Sequence, residues 1–287
     1  MKTITTFLSV LTATILVSCN PTVRDQTEYR DSEKWGKVMI EDLDLKDFNA
    51  IEDNSCIDII VNQGDEYKVQ VEGNEKALSQ YEFYIEENEG DDIHKLVCDN
   101  AKSFNFKTPS VRLHVTVPNI SHFYMNGTGD LDIKDSVNFI ADSTTSIILN
   151  GSGDIDIRNL ACNSIDIQIF GTGDLSMKRL DCKSIKAQVE GSGDINIRNA
   201  KCDNANFKVL GSGNIEGTIF AKNNIITEAK GSGDIELDVE CKYISINSQG
   251  SGDIEIEGET ETLKSYKKAL GSTTTKKLRA KKMIWGD

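Results

Sequence analysis

The chain has little of what enzymes and nucleic-acid binders rely on most. Histidine is scarce: His94, His114 and His122 are the only three in 287 residues. All precede the repeats described below, and none forms an evident pair with a nucleophile, which argues against imidazole-assisted catalysis. Aromatic residues make up 7% of the chain. Phe170, Phe220 and Tyr243 stand singly, so they offer no platform on which sugar rings could stack. Basic residues are outnumbered 32 to 46, and the net charge of -14 repels phosphate backbones and argues against a nucleic-acid partner. The glycines follow no βα pattern, so a nucleotide-binding loop is also a poor reading. After the first 20 residues no segment is apolar enough to span a membrane.

The opening MKTITTFLSVLTATILVSCN is present in place of any later span. It has one lysine, an apolar run too short for a comfortable crossing, and small residues at its end, the pattern of a removed export signal over residues 1–18. Its Leu16-Val17-Ser18-Cys19 ending resembles a bacterial lipobox, which implies a lipidated Cys19. Several acyl chains on one residue anchor stably where a single chain binds marginally. The expected address is the bacterial cell envelope, at the outer membrane, with the exposed face undetermined. Residues 19–40 read as a polar tether.

The dominant signal is a repeat. A tetrad of glycine, serine or threonine, glycine and aspartate has its glycines at Gly127 and Gly129, Gly151 and Gly153, Gly171 and Gly173, Gly191 and Gly193, Gly211 and Gly213, Gly231 and Gly233, and Gly250 and Gly252. A worn copy begins at Gly271, and the first glycines are 24, 20, 20, 20, 20, 19 and 21 residues apart. Between tetrads the apolar residues alternate, as at Ile155 and Ile157 or Ile165, Ile167 and Ile169, which is strand periodicity. One such unit cannot offset the conformational entropy of ordering it. Units stacked at the ~4.8 Å strand spacing share ladders and fuse their apolar files into one core. The pattern therefore predicts an all-β fold: a right-handed parallel β-helix, or β-solenoid, with about 20 residues per coil. The tetrad glycines are expected at sharp corners, through special backbone angles and close approach of neighbouring coils. Residues 41–120 should begin the solenoid, 121–271 form its repeats, and the basic segment 272–287 cap it. From Lys264 onward there are eight basic residues and one acid.

The segments FNAIEDNSCIDIIVNQGDEYKVQVEGNE and VRLHVTVPNI, followed by serial GSGDI and GTGDL repeats, resemble the putative autotransporter adhesin, head GIN domain family. The resemblance covers roughly Phe48 to Gly271. It implies a β-helical fold on exported, often lipid-anchored proteins. The chain departs from the pattern at Asn214, in the aspartate position, and at Gly271, where the tetrad decays.

Three functional classes follow. The leading expectation is a non-catalytic, structural or adhesin-like lipoprotein that presents its long wall to an envelope or extracellular macromolecule. A homo-oligomer is left open. The second is a calcium-responsive module without any other cofactor, because Asp234, Glu236, Asp253 and Glu255 supply hard oxygen ligands at strand spacing. The third is a polysaccharide-active enzyme, which the fold permits and the residues do not encourage. The tetrad aspartates are read as corner caps, since Asn214 keeps the hydrogen bonds and drops the charge. Cys162, Cys182 and Cys202 each lie eleven residues after their glycine, so they are expected to stack as an inward file of free thiols. Parallel Cβ vectors ~4.8 Å apart are wider than disulfides prefer, and a straight file cannot surround a tetrahedral zinc ion.

Overall fold

In the computed structural model the structure describes residues 35–87, 92–101, 109–268, 271–275 and 277–286. In chain order the strands are β1 (Val38–Leu43), β2 (Ala50–Asp53), β3 (Asp58–Gln63), β4 (Lys68–Asn74), β5 (Tyr81–Glu87), β6 (His94–Asn100), β7 (Arg112–Val117), β8 (His122–Met125) and β9 (Leu131–Leu149). They continue as β10 (Ile155–Ile169), β11 (Leu175–Asp181), β12 (Ser184–Val189), β13 (Ile195–Val209), β14 (Ile215–Ala229), β15 (Ile235–Ser248), β16 (Ile254–Lys267), β17 (Thr273–Thr274) and β18 (Leu278–Gly286). One short helix, α1 (Glu75–Leu78), follows β4.

The alternating residues form strands because stacking gives every coil the same inward face. Leu131, Ile155, Leu175, Ile195, Ile215, Ile235 and Ile254 are parallel register partners in sequence, all buried. A second buried file runs Ile165, Ile185, Ala205, Ile225, Ile244 and Leu263. Each larger side chain contributes ~1.5–3 kcal/mol by leaving water. A one-residue slip would turn every member of a file outward, which is what fixes the register. The result is a β-solenoid of about 8 turns with roughly 20 residues per coil. In most coils one long strand continues through the second corner with a local register shift, as in β10.

The lead-in does not stack in chain order. The β2–β3 rung lies between β8–β9 on one side and β6–β7 on the other, all parallel. The chain thus leaves its first rung, builds β4, α1 and β5, returns beneath as β6 and β7, and crosses over to β8. Antiparallel strands close this end: β5 lies on β6, β4 on β7, and β1 on β4. Reversing strand direction ends the propagating parallel ladder.

At the other end the basic terminus lies over β16 as one more rung. β18 is itself the last parallel rung, with Leu278 opposite Gly258 and Met283 opposite Leu263. Its cations stand over the acids of the coil beneath: Lys277 on Glu257, Arg279 on Glu259, and Lys281 on Glu261. The basic end is one face of an inter-coil charge ladder. Gly271 also occupies the second glycine's place, not the first. A Cβ there would lie 2.0 Å from the Gly252 carbonyl oxygen, and Ser272 takes the aspartate's position.

Candidate functional site: corner files and a charged wall

The tetrads form one corner of every coil. A Cβ on Gly151 would lie 1.8 Å from the Gly127 carbonyl oxygen, and one on Gly173 2.0 Å from that of Gly153. The same clash recurs up both glycine files. Close approach is therefore the reason for glycine here. Unusual backbone angles are not: among the described residues, positive φ occurs at no tetrad glycine, and the only glycines with it are Gly36 and Gly258. The intervening Ser and Thr residues point to solvent.

The fourth residues form a ladder of their own. Asp154, Asp174, Asp194, Asn214, Asp234 and Asp253 each donate a backbone N–H to the Oδ1 of the equivalent residue one coil earlier, at 2.6–2.9 Å. Asn214 does this as well as aspartate, since Oδ1 is the acceptor in both. The Ser272 N–H, and its side chain, draw the Asp253 carboxyl below its ordinary range. Replacing Asp174 with asparagine should leave stability nearly unchanged. Alanine there should cost about 1 kcal/mol, because the Asp194 N–H loses its acceptor. Urea denaturation midpoints for the two variants test the ladder.

The wall after this corner carries two outward columns. Asp132, Asp156, Ser176 and Asn196 form the first in the early coils, and Lys134, Arg158, Lys178 and Arg198 the second, lining a shallow groove of about 660 Å³. Lys134 pairs with Asp132 at 3.0 Å. Among the described residues, Arg158, Lys178 and Arg198 have no ion-pair partner. Burial first, and then Asp132, Asp154 and Asp130, hold the Asp156 carboxyl above its ordinary range. Past Thr218 the polarity reverses: Glu216, Glu236 and Glu255 stack in register, as do Asp238 and Glu257. The calcium candidates lie in this acidic half. Asp234 and Asp253 spend Oδ1 on the corner ladder, while Glu236 and Glu255 face each other across β15 and β16. Among the described residues, no three His, Cys, Asp or Glu side chains are gathered to hold a metal ion.

The second corner carries the cysteine file and a feature that sequence reading missed. A groove of about 1260 Å³ runs along it, floored by Cys182, Cys202, Ala221, Cys241 and Thr260 and walled by longer charged side chains. Its sequence signal is a small residue at one fixed phase in successive coils. All six cysteines among the described residues are free thiols, with Cys182 half-buried and Cys162, Cys202 and Cys241 buried. The histidines need one correction. Ser121 Oγ lies 2.7 Å from His122 Nδ1, a hydroxyl–imidazole pair that was not evident from sequence. Ser121 is buried and also bonds the Asn49 carbonyl at 3.1 Å, so the hydroxyl is held within the fold. His114 pairs with Glu72 at 3.1 Å and His94 with Glu87 at 3.4 Å, on separate strands. Cys19 lies outside the described residues. Among the described residues no helix is long and apolar enough to cross a membrane.

A long parallel solenoid with a bipolar wall and a glycine corner in every coil defines a repeat-built β-solenoid protein without an evident reaction centre among the described residues. The model of the family described as Putative auto-transporter adhesin, head GIN domain matches residues 47–236 and 216–284, and the chain belongs to that family. Solved structures share the fold. A putative adhesin from Parabacteroides distasonis is 15% identical with a TM-score of 0.73, the match covering 83% of this chain and 97% of that one. A putative adhesin from Bacteroides fragilis is 18% identical, with a TM-score of 0.59 and coverage of 87% and 97%. A protein from P. distasonis described as a putative lipid binding protein is 16% identical, with a TM-score of 0.60 and coverage of 85% and 97%. No curated protein matches the chain.

Proposed function

We propose that this protein is an envelope lipoprotein, anchored through Cys19 at the outer membrane, that binds a linear acidic polymer along its first wall and does no chemistry on it. One observation carries the reading: Arg158, Lys178 and Arg198 stand in a file without ion-pair partners among the described residues, a local basic strip that sets this wall apart from the acidic remainder of the chain. Cations stacked ~4.8 Å apart repel one another by roughly 0.9 kcal/mol per pair even in water. A polymer with one anion every ~5 Å relieves that repulsion at each rung. The adhesin name of the family and of two structural neighbours supports a non-catalytic binding role.

The test is calorimetry of the protein with a polyuronate and with a neutral glucan. The acidic polymer alone is expected to bind, more weakly at high salt because exposed charges are screened. Charge reversal at Arg158 and Lys178 together should weaken binding by about tenfold or more, the equivalent of roughly 1.4 kcal/mol. Reversal at Lys242, on the second corner, should not. Equal binding of both polymers, or indifference to the Arg158 and Lys178 changes, sinks the proposal.

A further inference from the structure

The solenoid's last rung is uncovered. β18 pairs with β16 on one side, and among the described residues no strand lies on the other. The inward file that starts at Ile85 on β5 runs in unbroken register through Ile51, Phe123 and Ile167 to Ser265 and finishes at Trp285. Its members from Leu96 to Ser265 are buried, whereas Trp285 is 63% exposed. Met283, which ends the file of Ile244 and Leu263, is 47% exposed. These two residues hold core positions in a coil with no coil above it. Of the eight exposed large hydrophobic residues among the described residues, three lie on β18 and two, Val38 and Ile40, on β1, so such side chains gather at the two ends of the molecule.

The opposite end presents strand edges of its own. Among the described residues β5 pairs only with β6, and β1 only with β4. Strand reversal stops the parallel ladder there, yet each outer edge keeps backbone donors and acceptors for one more strand. β5 lies over the same wall as the second half of β18, since Ile85 and Trp285 share a file. Charge decides which edges can meet. β18 carries Arg279, Lys281 and Lys282 and no acid. β1 carries Glu41 and Asp42, and β5 carries Glu82, Glu86 and Glu87, with no base on either strand. Two β18 edges would set like charges opposite one another, which is destabilising. β18 against the acidic end matches opposite charges and suppresses the wrong pairing.

We propose that β18 of one molecule docks on the β5 and β1 end of a second copy of this chain, head to tail along the solenoid axis. β5 runs against the coils, so β18 adds to it as an antiparallel strand. With Ile85 over Trp285, antiparallel register places Glu87 over Met283 and beside Lys282. Trp285 and Met283 then gain the covering rung that their own chain lacks. The contact joins two different surfaces, so each pair keeps one free end of each kind and further copies add into an open fibre.

The test is sedimentation of the full chain over a range of concentrations. The mean mass should climb past two copies as concentration rises. One variant blocks the basic end with Lys282→Glu and Trp285→Asp, and another blocks the acidic end with Glu82→Lys and Glu87→Lys. Each alone should need about tenfold or more protein to associate, the equivalent of roughly 1.4 kcal/mol. Mixed together, the two variants keep one sound end apiece and should form a pair that grows no further. Melting curves identify a variant that has lost its fold; if the Trp285→Asp chain melts early, Lys282→Glu alone, at an exposed side chain, provides the same comparison. A mass of one copy at every concentration overturns the proposal. So does growth that stops at two copies of the native chain, the mark of a β18–β18 dimer, or association indifferent to both pairs of changes, as contact through the apolar first 20 residues would be.

Discussion

Alanine at Gly211 is expected to cost about 4 kcal/mol or more, the range reserved for the most disruptive single changes. The new methyl carbon would lie 2.1 Å from the Gly191 carbonyl oxygen and 2.4 Å from that of Glu190, both backbone atoms of the coil beneath. The Gly191 oxygen cannot simply retreat, because it accepts the N–H of Ser212 at 2.9 Å and of Gly213 at 3.3 Å. Relief requires the two coils to part, which strands donors at the corner and loosens the apolar files beside it. Stability in a stacked array is approximately a sum of coils and nearest-neighbour interfaces, so the damage is focused where coils meet. Ser212, between Gly211 and Gly213, points to solvent and is the control: alanine there should stay within ~0.5 kcal/mol of the native chain. Urea unfolding of the three single-alanine variants at 211, 212 and 213 checks this. A Gly211→Ala chain as stable as the Ser212→Ala chain would mean that the coils are not in the contact described.

The coils were legible because parallel, in-register stacking writes itself into sequence as a constant period. Ile155, Leu175, Ile195, Ile215 and Ile235 are neighbours in space for the same reason that they are twenty residues apart in the chain. The acceptor role of the aspartates was legible through Asn214, which keeps the oxygen and drops the charge, but that the donor is the N–H of the next coil was not. What failed to show was order and distance. Alternation in Cys56 to Gln63 and in Val111 to Val117 marks strands but does not name their neighbours, so the placing of β2–β3 between β6–β7 and β8–β9 left no trace in the chain. The glycine corner was read as needing both special backbone angles and close approach of coils; the coordinates show only the second, with a carbonyl oxygen about 2 Å from the missing methyl group.

The two ends were the least legible, because a rung at an end has one neighbour and a weaker pattern. The basic end was read as a cover, but that three of its cations, Lys277, Arg279 and Lys281, each lie over an acid twenty residues back did not show in the sequence. The second-corner groove was hidden for another reason. Cys182, Cys202, Ala221 and Cys241 are small enough to pass for core filling, and the groove exists only because longer side chains rise on both sides of them.

A pH dependence of stability is expected from Asp53, a carboxyl set into an apolar file. Its parallel partners are Cys98 on one side and Met125 on the other, and Met125 is followed by Leu149. Asp53 is fully buried; its Oδ1 accepts the Ser55 hydroxyl at 2.5 Å and the Ser55 N–H at 3.1 Å, while Oδ2 has no hydrogen-bond partner. Desolvation, with smaller repulsion from Asp99 and Asp58, raises its pKa from 3.8 to about 7. The raised value means that the folded chain holds this proton more tightly than the unfolded chain does. Its stabilising contribution is fully present below pH ~4, is lost as pH rises toward ~7, and stays lost above that. A rise of that size is equivalent to about 4 kcal/mol between the protonated and ionised forms. Asparagine keeps the Oδ1 acceptor and cannot ionise. The Asp53→Asn chain should therefore match the native chain near pH 4 and exceed it by up to about 4 kcal/mol at pH 8, with most of the change between pH 5 and 7. Urea denaturation of both chains across that range measures the difference directly, and the other carboxylates cancel in the subtraction. A stability difference that does not change with pH would show that Asp53 is not the buried, proton-retaining group described.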